Sequence, residues 1–294
     1  MLIVKNRWII YWALIFLLSF KLFINYFNVL PELWMRWCVR HETIVIALST
    51  TPYRINSLHD TLQYLYKQNA KIKAIYLSIP YTFKRDNIAY IIPEWLANDA
   101  RVTILRTQDY GPATKVLGVL EQTNLCPETI IISVDDDVAY PKNLALQLAY
   151  RAKAFPNRAI GISGINMDYD ADGMIAADSV DGLINIDVDG ALTNALQGVT
   201  GIAYRRKFFD ATVFDIVKAP RECINSDDIY LSFYLARQHI PRQMLKNRFI
   251  SIKDVFPTYV GMQADALHNI HPSEAERHRV CVAYLKQRFA GVDF

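Results

Sequence analysis

From Thr43 onward, short apolar runs alternate with longer stretches whose hydrophobic residues recur at helical spacing. Thr43–Leu48, Ile72–Ile79, Val102–Leu105, Ile130–Val134 and Ala159–Ile165 read as strands. They are continuously apolar rather than alternating, as strands covered on both faces are. Ile55–Gln68, Ala113–Gln122, Pro141–Ala154 and Ser273–Phe289 read as helices with one apolar face. This β-α-β-α order predicts an α/β domain with a mostly parallel sheet flanked by helices. No Pro/Gly/Ser-rich linker divides it, so one domain is expected over residues 41–294. Between about Asn166 and Gly201, short Gly-, Asp- and Asn-rich stretches predict loops and edge strands.

The first forty residues differ in kind. Trp8 to Leu30 is almost wholly apolar and aromatic, broken by Ser19, Lys21, Asn25 and Asn28 and stopped at Pro31. At ~1.5 Å per residue this run just spans a hydrocarbon core of roughly 30 Å. Lys5 and Arg7 precede it and no small-residue cleavage site follows, which predicts an uncleaved membrane anchor over residues 1–40. Lys21 near its middle costs about 2.5–3.5 kcal/mol on the insertion scale. An interfacial helix, with Trp8, Trp12, Trp34 and Trp37 at headgroup depth, is the alternative, and a buried core helix is the non-membrane reading. Arg36 and Arg40 balance Lys5 and Arg7, so orientation is not fixed by charge.

The 294 residues carry a net charge of +3, too little for a nucleic-acid-binding surface. Cys38, Cys126, Cys223 and Cys281 form no Cys-x-x-Cys pair, and reduced core thiols are expected.

The most informative stretch is Ile130-Ile131-Ile132-Ser133-Val134-Asp135-Asp136-Asp137, a buried strand ending in three carboxylates. Such crowding is unfavourable unless a positive group sits there, and hard oxygen ligands suit Mg²⁺ or Mn²⁺. In open α/β sheets ligands also bind at the carboxyl ends of strands. The bland reading is a solvated turn before a helix started by Pro141. After the first strand, Ser49-Thr50-Thr51-Pro52-Tyr53-Arg54 could hold a base and ribose, or Thr51 and Pro52 could simply start a helix. After the third, Asp109-Tyr110-Gly111-Pro112-Ala113-Thr114-Lys115 opens a helix whose N–H groups favour phosphate. Lys115 opposes that helix's dipole, so it is either matched by a bound anion or solvent-exposed. Finally, Asp227-Asp228 begins an apolar helix ending near His239, after the Gly-rich strand Gln197–Tyr204. Capping accounts for one of these aspartates; a second suggests a general base. Asp168-Tyr169-Asp170-Ala171-Asp172-Gly173 imitates a calcium loop, but Ser179 stands where a bidentate Glu is needed, so a hairpin turn or flexible loop is expected.

From Thr43 to roughly His239 the chain resembles nucleotide-sugar glycosyltransferases of the GT-A fold, similar to the family 2-type enzymes. Asp135-Asp136-Asp137 with Tyr140-Pro141 resembles their Asp-x-Asp signature, and Asp-Asp-Ile-Tyr-Leu-Ser their acidic catalytic-base position. The resemblance implies that Asp135 and Asp137 bind the metal and, with Asp136, the donor. Thr50, Pro52 and Arg54 would line the nucleotide pocket, with Asp109 and Lys115 also on the donor. Asp228, or else Asp227, would be the base, and His268 or His271 a C-terminal metal ligand. It implies Mn²⁺ or Mg²⁺, a nucleotide-sugar donor (a UDP-sugar foremost), and a membrane-proximal glycan or glycolipid acceptor. One base and no second nucleophile imply inversion. A nucleotidyltransferase would carry a Gly-rich loop where Ser-Thr-Thr-Pro-Tyr-Arg stands. A paired-carboxylate hydrolase and a non-catalytic glycan-binding scaffold are the other rivals. The absence of an Asn-x-Ser/Thr acceptor, with the cysteine usage, places the domain on the cytoplasmic side of a bacterial inner membrane. A Golgi-type luminal domain is the alternative.

Overall fold

A computed structural model describes residues 30–167, 190–245, 267 and 273–294. The chain forms two compact units, Met1–His41 and Glu42–Phe294. Almost all of the apolar run Trp8–Leu30, the calcium-like stretch Asp168–Ser179, and His268 and His271 lie outside the described residues. Among the described residues no helix is long and apolar enough to cross a membrane.

In the first unit, residues 30–39 form helix α1, with Pro31 in its first described turn. Leu30, Leu33, Trp34 and Trp37 recur at i, i+3, i+4 and i+7 and are all exposed. The Trp34 and Trp37 rings stack at 5.3 Å, and the Arg40 guanidinium lies 4.1 Å over Trp37.

The second unit is built on seven strands: β1 (Ile44–Ser49), β2 (Ile72–Pro80), β5 (Val102–Thr107), β6 (Ile130–Ser133), β7 (Ala159–Gly161), β10 (Ile202–Arg205) and β11 (Arg242–Met244). Their order is β11-β7-β10-β6-β1-β2-β5. Only β10 runs antiparallel to its neighbours, and the other ladders are parallel. Ile44 to Leu48 in β1 are at most 1% exposed, as continuous apolar patterning requires of a central strand. Helix α2 (Leu58–Tyr66) follows β1, and α3 (Glu94–Ala97) precedes β5. Helix α4 (Thr114–Gln122) packs on β1, β2 and β5, and α5 (Leu144–Ala154) on β6, β7 and β10.

The chain runs outward from β1 through β2 to β5, then returns to place β6 on the other side of β1, with Ala47 opposite Ser133. That reversal is a topological switch point, where the loops leaving adjacent strand ends diverge and leave a crevice. Two small hairpins accompany the sheet: β3 (Thr82–Phe83) with β4 (Ile88–Ala89), and β8 (Gly164–Ile165) with β9 (Ala195–Leu196). The chain closes with α6 (Arg221–Ile224), α7 (Asp227–Arg237) and α8 (Glu274–Arg288).

Several local expectations are corrected. Ala159–Ile165 is two strands in different sheets, β7 and β8. The Gly-rich stretch before β10 is a 3₁₀ turn over Gly198–Thr200, followed by Gly201 at φ 90°, a conformation glycine adopts without steric cost. The helices expected to open at Pro52 and Pro141 begin at Leu58 and Leu144, because turns intervene. Cys223 and Cys281 are not reduced core thiols: they form a disulfide joining α6 to α8.

Gly118 shows how tightly α4 meets the sheet, since a Cβ there would lie 2.5 Å from Ser78 Oγ and 2.6 Å from Ser78 Cβ. Helix propensity alone would make Gly118→Ala stabilising by about 1 kcal/mol. We expect the opposite sign, a loss of about 1–3 kcal/mol from overpacking, read as a lower urea midpoint at unchanged m-value.

Candidate active site

The loops at the switch point enclose a cleft of about 560 Å³, within the range of small-molecule sites. Thr50, Arg54, Asp109, Lys115, Asp135, Asp136, Asp137, Asp227 and Asp228 all line it. Pro52 and Tyr53, from the stretch expected to hold the base and ribose, do not.

The acidic triplet leaves β6 on a backbone held from two sides. Asp135 N–H donates to the Tyr140 hydroxyl (2.8 Å), which donates to Val199 O (3.0 Å), and Thr61 Oγ1 donates to Asp136 O (2.8 Å). The three carboxylates then diverge. Asp135 pairs with Lys115 Nζ (2.8 Å), whereas Asp136 and Asp137 share Arg54 Nη1 at 3.0 and 2.8 Å. Burial, aided by Asp136 and Asp135 and opposed by Arg54, pushes the Asp137 pKa up to about 7. Burial likewise raises that of Asp136, against the pull of Arg54.

Lys115 is not solvent-exposed, and protein carboxylates already pair with it. It is 6% exposed, and its ammonium also pairs with Asp227 Oδ2 at 3.0 Å. Burial disfavours its charge, but Asp135, Asp227 and Asp228 more than compensate, so its pKa lies well above the ordinary lysine value. Gly198 is required beside it, because a Cβ there would fall 2.9 Å from Lys115 Nζ and 3.0 Å from Asp228 Oδ1.

At the start of α7 the two aspartates separate in role. Asp227 is buried and faces Lys115. Asp228 is half-buried, and both its oxygens accept from Gly198 N–H at 3.0 Å. Burial and the Asp227 charge raise its pKa well above the ordinary aspartate value, against the effect of Lys115. Raising a carboxylate's pKa by burial is how proteins make it a better proton acceptor near neutrality.

Asp109 organises the wall rather than presenting a free carboxylate. Its oxygens accept from Gly111 N–H and Lys84 N–H, both at 2.7 Å, which closes the turn and pins the β3–β4 hairpin. Gly111 sits at φ 65°, and a Cβ there would meet Ile224 at 2.8 Å. Thr50 is buried, and its carbonyl accepts from the Tyr90 hydroxyl (2.9 Å).

Among the described residues no three His, Cys, Asp or Glu side chains converge as a ready metal cage. The charge balance and donor chemistry nonetheless fit a hard cation. Four cleft carboxylates, Asp135, Asp136, Asp137 and Asp227, crowd around Lys115 and Arg54, and buried Asp136 Oδ2 has no hydrogen-bond partner among the described residues. Asp135 and Asp137 are the residues that would hold it, sharing their oxygens with Lys115 and Arg54.

The sequence reading missed Lys84, Arg85 and Tyr90 on the hairpin side, and Arg221, Glu274, Arg277 and His278 on the far side. For the last three a signal existed. The core-facing stripe of α8, Cys281, Val282 and Leu285, turns polar in its first turns while staying buried at Arg277 and His278.

The structure of GalNAc-T7 with UDP, GalNAc and Mn²⁺ is similar to this chain at a TM-score of 0.47 and 12% identity, over 69% of this chain and 42% of that one. The chain thus spans about two fifths of that structure's length. No protein-family model and no curated protein matches the sequence.

Removing the Lys115 charge strands carboxylates from two elements. We expect Lys115→Met to cost about 3–5 kcal/mol in chemical denaturation, the cost of breaking a buried ion pair from one side. Adding Asp227→Asn should recover part of it, and additive losses in the double variant would contradict the coupling.

Proposed function

We propose that this protein is a glycosyltransferase, moving a sugar from a nucleotide-sugar donor, a UDP-sugar foremost, to an acceptor hydroxyl with inversion. One observation carries the reading: the switch-point cleft brings the Asp135–Asp137 triplet and the Asp227–Asp228 pair onto a single buried lysine. Two acidic clusters some ninety residues apart in sequence would not share a cation by chance in a surface turn. Thr50, Arg54 and the Gly111 turn lie at the sheet's carboxyl edge, where the donor's nucleotide is expected. Asp135 and Asp137 would hold Mn²⁺ or Mg²⁺, which would supply Lewis-acid neutralisation of the leaving diphosphate.

The chain's own groups account for the remainder. Asp228, held by Gly198 N–H and raised in basicity, takes the proton from the acceptor oxygen as that oxygen attacks the anomeric carbon. Asp227 is its positioning neighbour, tied to Lys115. With one such base and, among the described residues, no second carboxylate assigned as a nucleophile, a single inverting displacement is the step these residues support. A nucleotidyltransferase is disfavoured by the loop after β1, and a scaffold by the intact acidic pair.

The exposed Leu30, Leu33, Trp34 and Trp37 stripe, following the Trp8–Leu30 run, supports attachment to a membrane and a glycan or glycolipid acceptor near it. The Cys223–Cys281 disulfide favours the luminal or extracytoplasmic alternative over a cytoplasmic domain, since cytosolic thiols are kept reduced. Alkylation of protein isolated without reductant should then label exposed Cys126, with Cys223 and Cys281 reacting only after reduction. Labelling of Cys223 and Cys281 without reductant, in protein from its native host, would return the domain to the cytoplasm.

Nucleotide release from a panel of UDP-, GDP- and CMP-sugars, with and without Mn²⁺, tests the activity. We expect Mn²⁺-stimulated release that chelation abolishes. Asp228→Asn should lower turnover about 10²–10⁴-fold, and Asp137→Ala should lose the metal stimulation. Glycan binding without release from any donor would favour the scaffold.

A further inference from the structure

The mechanism above leaves one wall of the cleft unused. Glu274, Arg277 and His278 stand at i, i+3 and i+4 on α8 and all line the cleft. His278 is 5% exposed, and neither ring nitrogen has a hydrogen bond: Nδ1 is buried without a partner, and Nε2 is 3.7 Å from the Glu274 carboxylate. A buried polar group left unmet in this way is rare unless a ligand completes it.

Which ligand follows from the ring's chemistry. Burial, opposed by Glu274, lowers the His278 pKa, so the ring is neutral at ordinary pH, with one donor and one acceptor. A hydroxyl group is the complement of such a ring, because it too both donates and accepts. A diphosphate would instead select a cationic fork or ammonium. Position points the same way. Cys281, three residues beyond His278, is bonded to Cys223, four residues before Asp227, so the disulfide fixes this wall against the acidic pair. The base must touch the acceptor hydroxyl, so a wall fixed beside it is where the acceptor sugar lies. Val217, 43% exposed and lining the same cleft, offers an aliphatic surface for the apolar face of a pyranose.

Resting on the glycosyl-transfer reading, we propose that His278 is an acceptor-binding residue, its imidazole hydrogen-bonding a hydroxyl of the acceptor saccharide.

The test is made on the full chain in detergent. The His278 imidazole signal, identified in ¹H–¹⁵N spectra by its loss in His278→Gln, is followed during titration with methyl glycosides of glucose, galactose, mannose, N-acetylglucosamine and N-acetylgalactosamine, and separately with UDP. At least one glycoside should shift the signal while UDP alone leaves it in place. A panel with no shift, or a shift with UDP alone, overturns the proposal. In the transfer assay, His278→Ala should raise the acceptor KM about tenfold, the loss of roughly one hydrogen bond. Donor KM should be unchanged, and His278→Gln should retain most of the affinity. A variant that raises donor KM instead overturns it. Nucleotide release by the unaltered protein is read independently. A glycoside-induced shift without release keeps the saccharide site and discards the transfer reading.

Discussion

The Lys115 ammonium, 6% exposed and within 3.0 Å of carboxylates from two distant elements, is the interaction on which the site depends. A lysine this deep is unstable as a cation unless its neighbours restore what water supplied. Asp135 from the end of β6 and Asp227 from the start of α7 do so. The same bonds work in reverse: without the ammonium, carboxylates from the two elements would repel across a water-poor cleft. Folding therefore cannot complete one acidic cluster without the other. The two groups assigned to opposite ends of the chemistry, donor and acceptor activation, are held in fixed relation by a single buried charge.

Around that charge the fold supplies rigidity from three sources. The parallel β1–β6 ladder sets the height at which the triplet emerges, with Tyr140 and Thr61 holding its backbone. Close packing at Gly118 against Ser78 of β2 holds α4, which carries Lys115, tightly on the sheet. The Cys223–Cys281 disulfide closes a loop of 58 residues in sequence and fastens α8 beside the acidic pair. Constraint of that loop in the unfolded chain stabilises the native state in the usual entropic account.

The α/β order, the parallel core and the aspartates were legible because each is written contiguously: apolar runs for buried strands, charges in a row at a strand end. Lys115 was visible but misassigned. Seen locally, a lysine in a first helical turn conflicts only with the dipole, and its two partners lie twenty and more than a hundred residues away. The same blindness hid the disulfide, since no Cys spacing marks residues that meet only after α6 and α8 pack. The division of Ala159–Ile165 between two sheets was also hidden, because strand propensity does not specify a partner. His278 and Arg277 carried a faint signal, a buried helical stripe that turns polar where core should continue. It reads as function only once the cleft is known to lie there.

Asp227 and Asp228 show why adjacency in sequence does not mean equivalence in chemistry. Successive residues at a helix start point about 100° apart, so one carboxylate can enter the core while the next faces the cleft. Asp227 takes the inward direction and meets Lys115, and its charge is held by an ion pair. Asp228 takes the outward direction, where Gly198 N–H fixes its orientation. The neighbouring Asp227 charge, together with burial, raises its affinity for a proton. The inward aspartate thus tunes the outward one, and Lys115 limits how far that tuning goes. The base proposed here needs both: repulsion from Asp227 to make it accept a proton, and attraction from Lys115 to let it release the proton again.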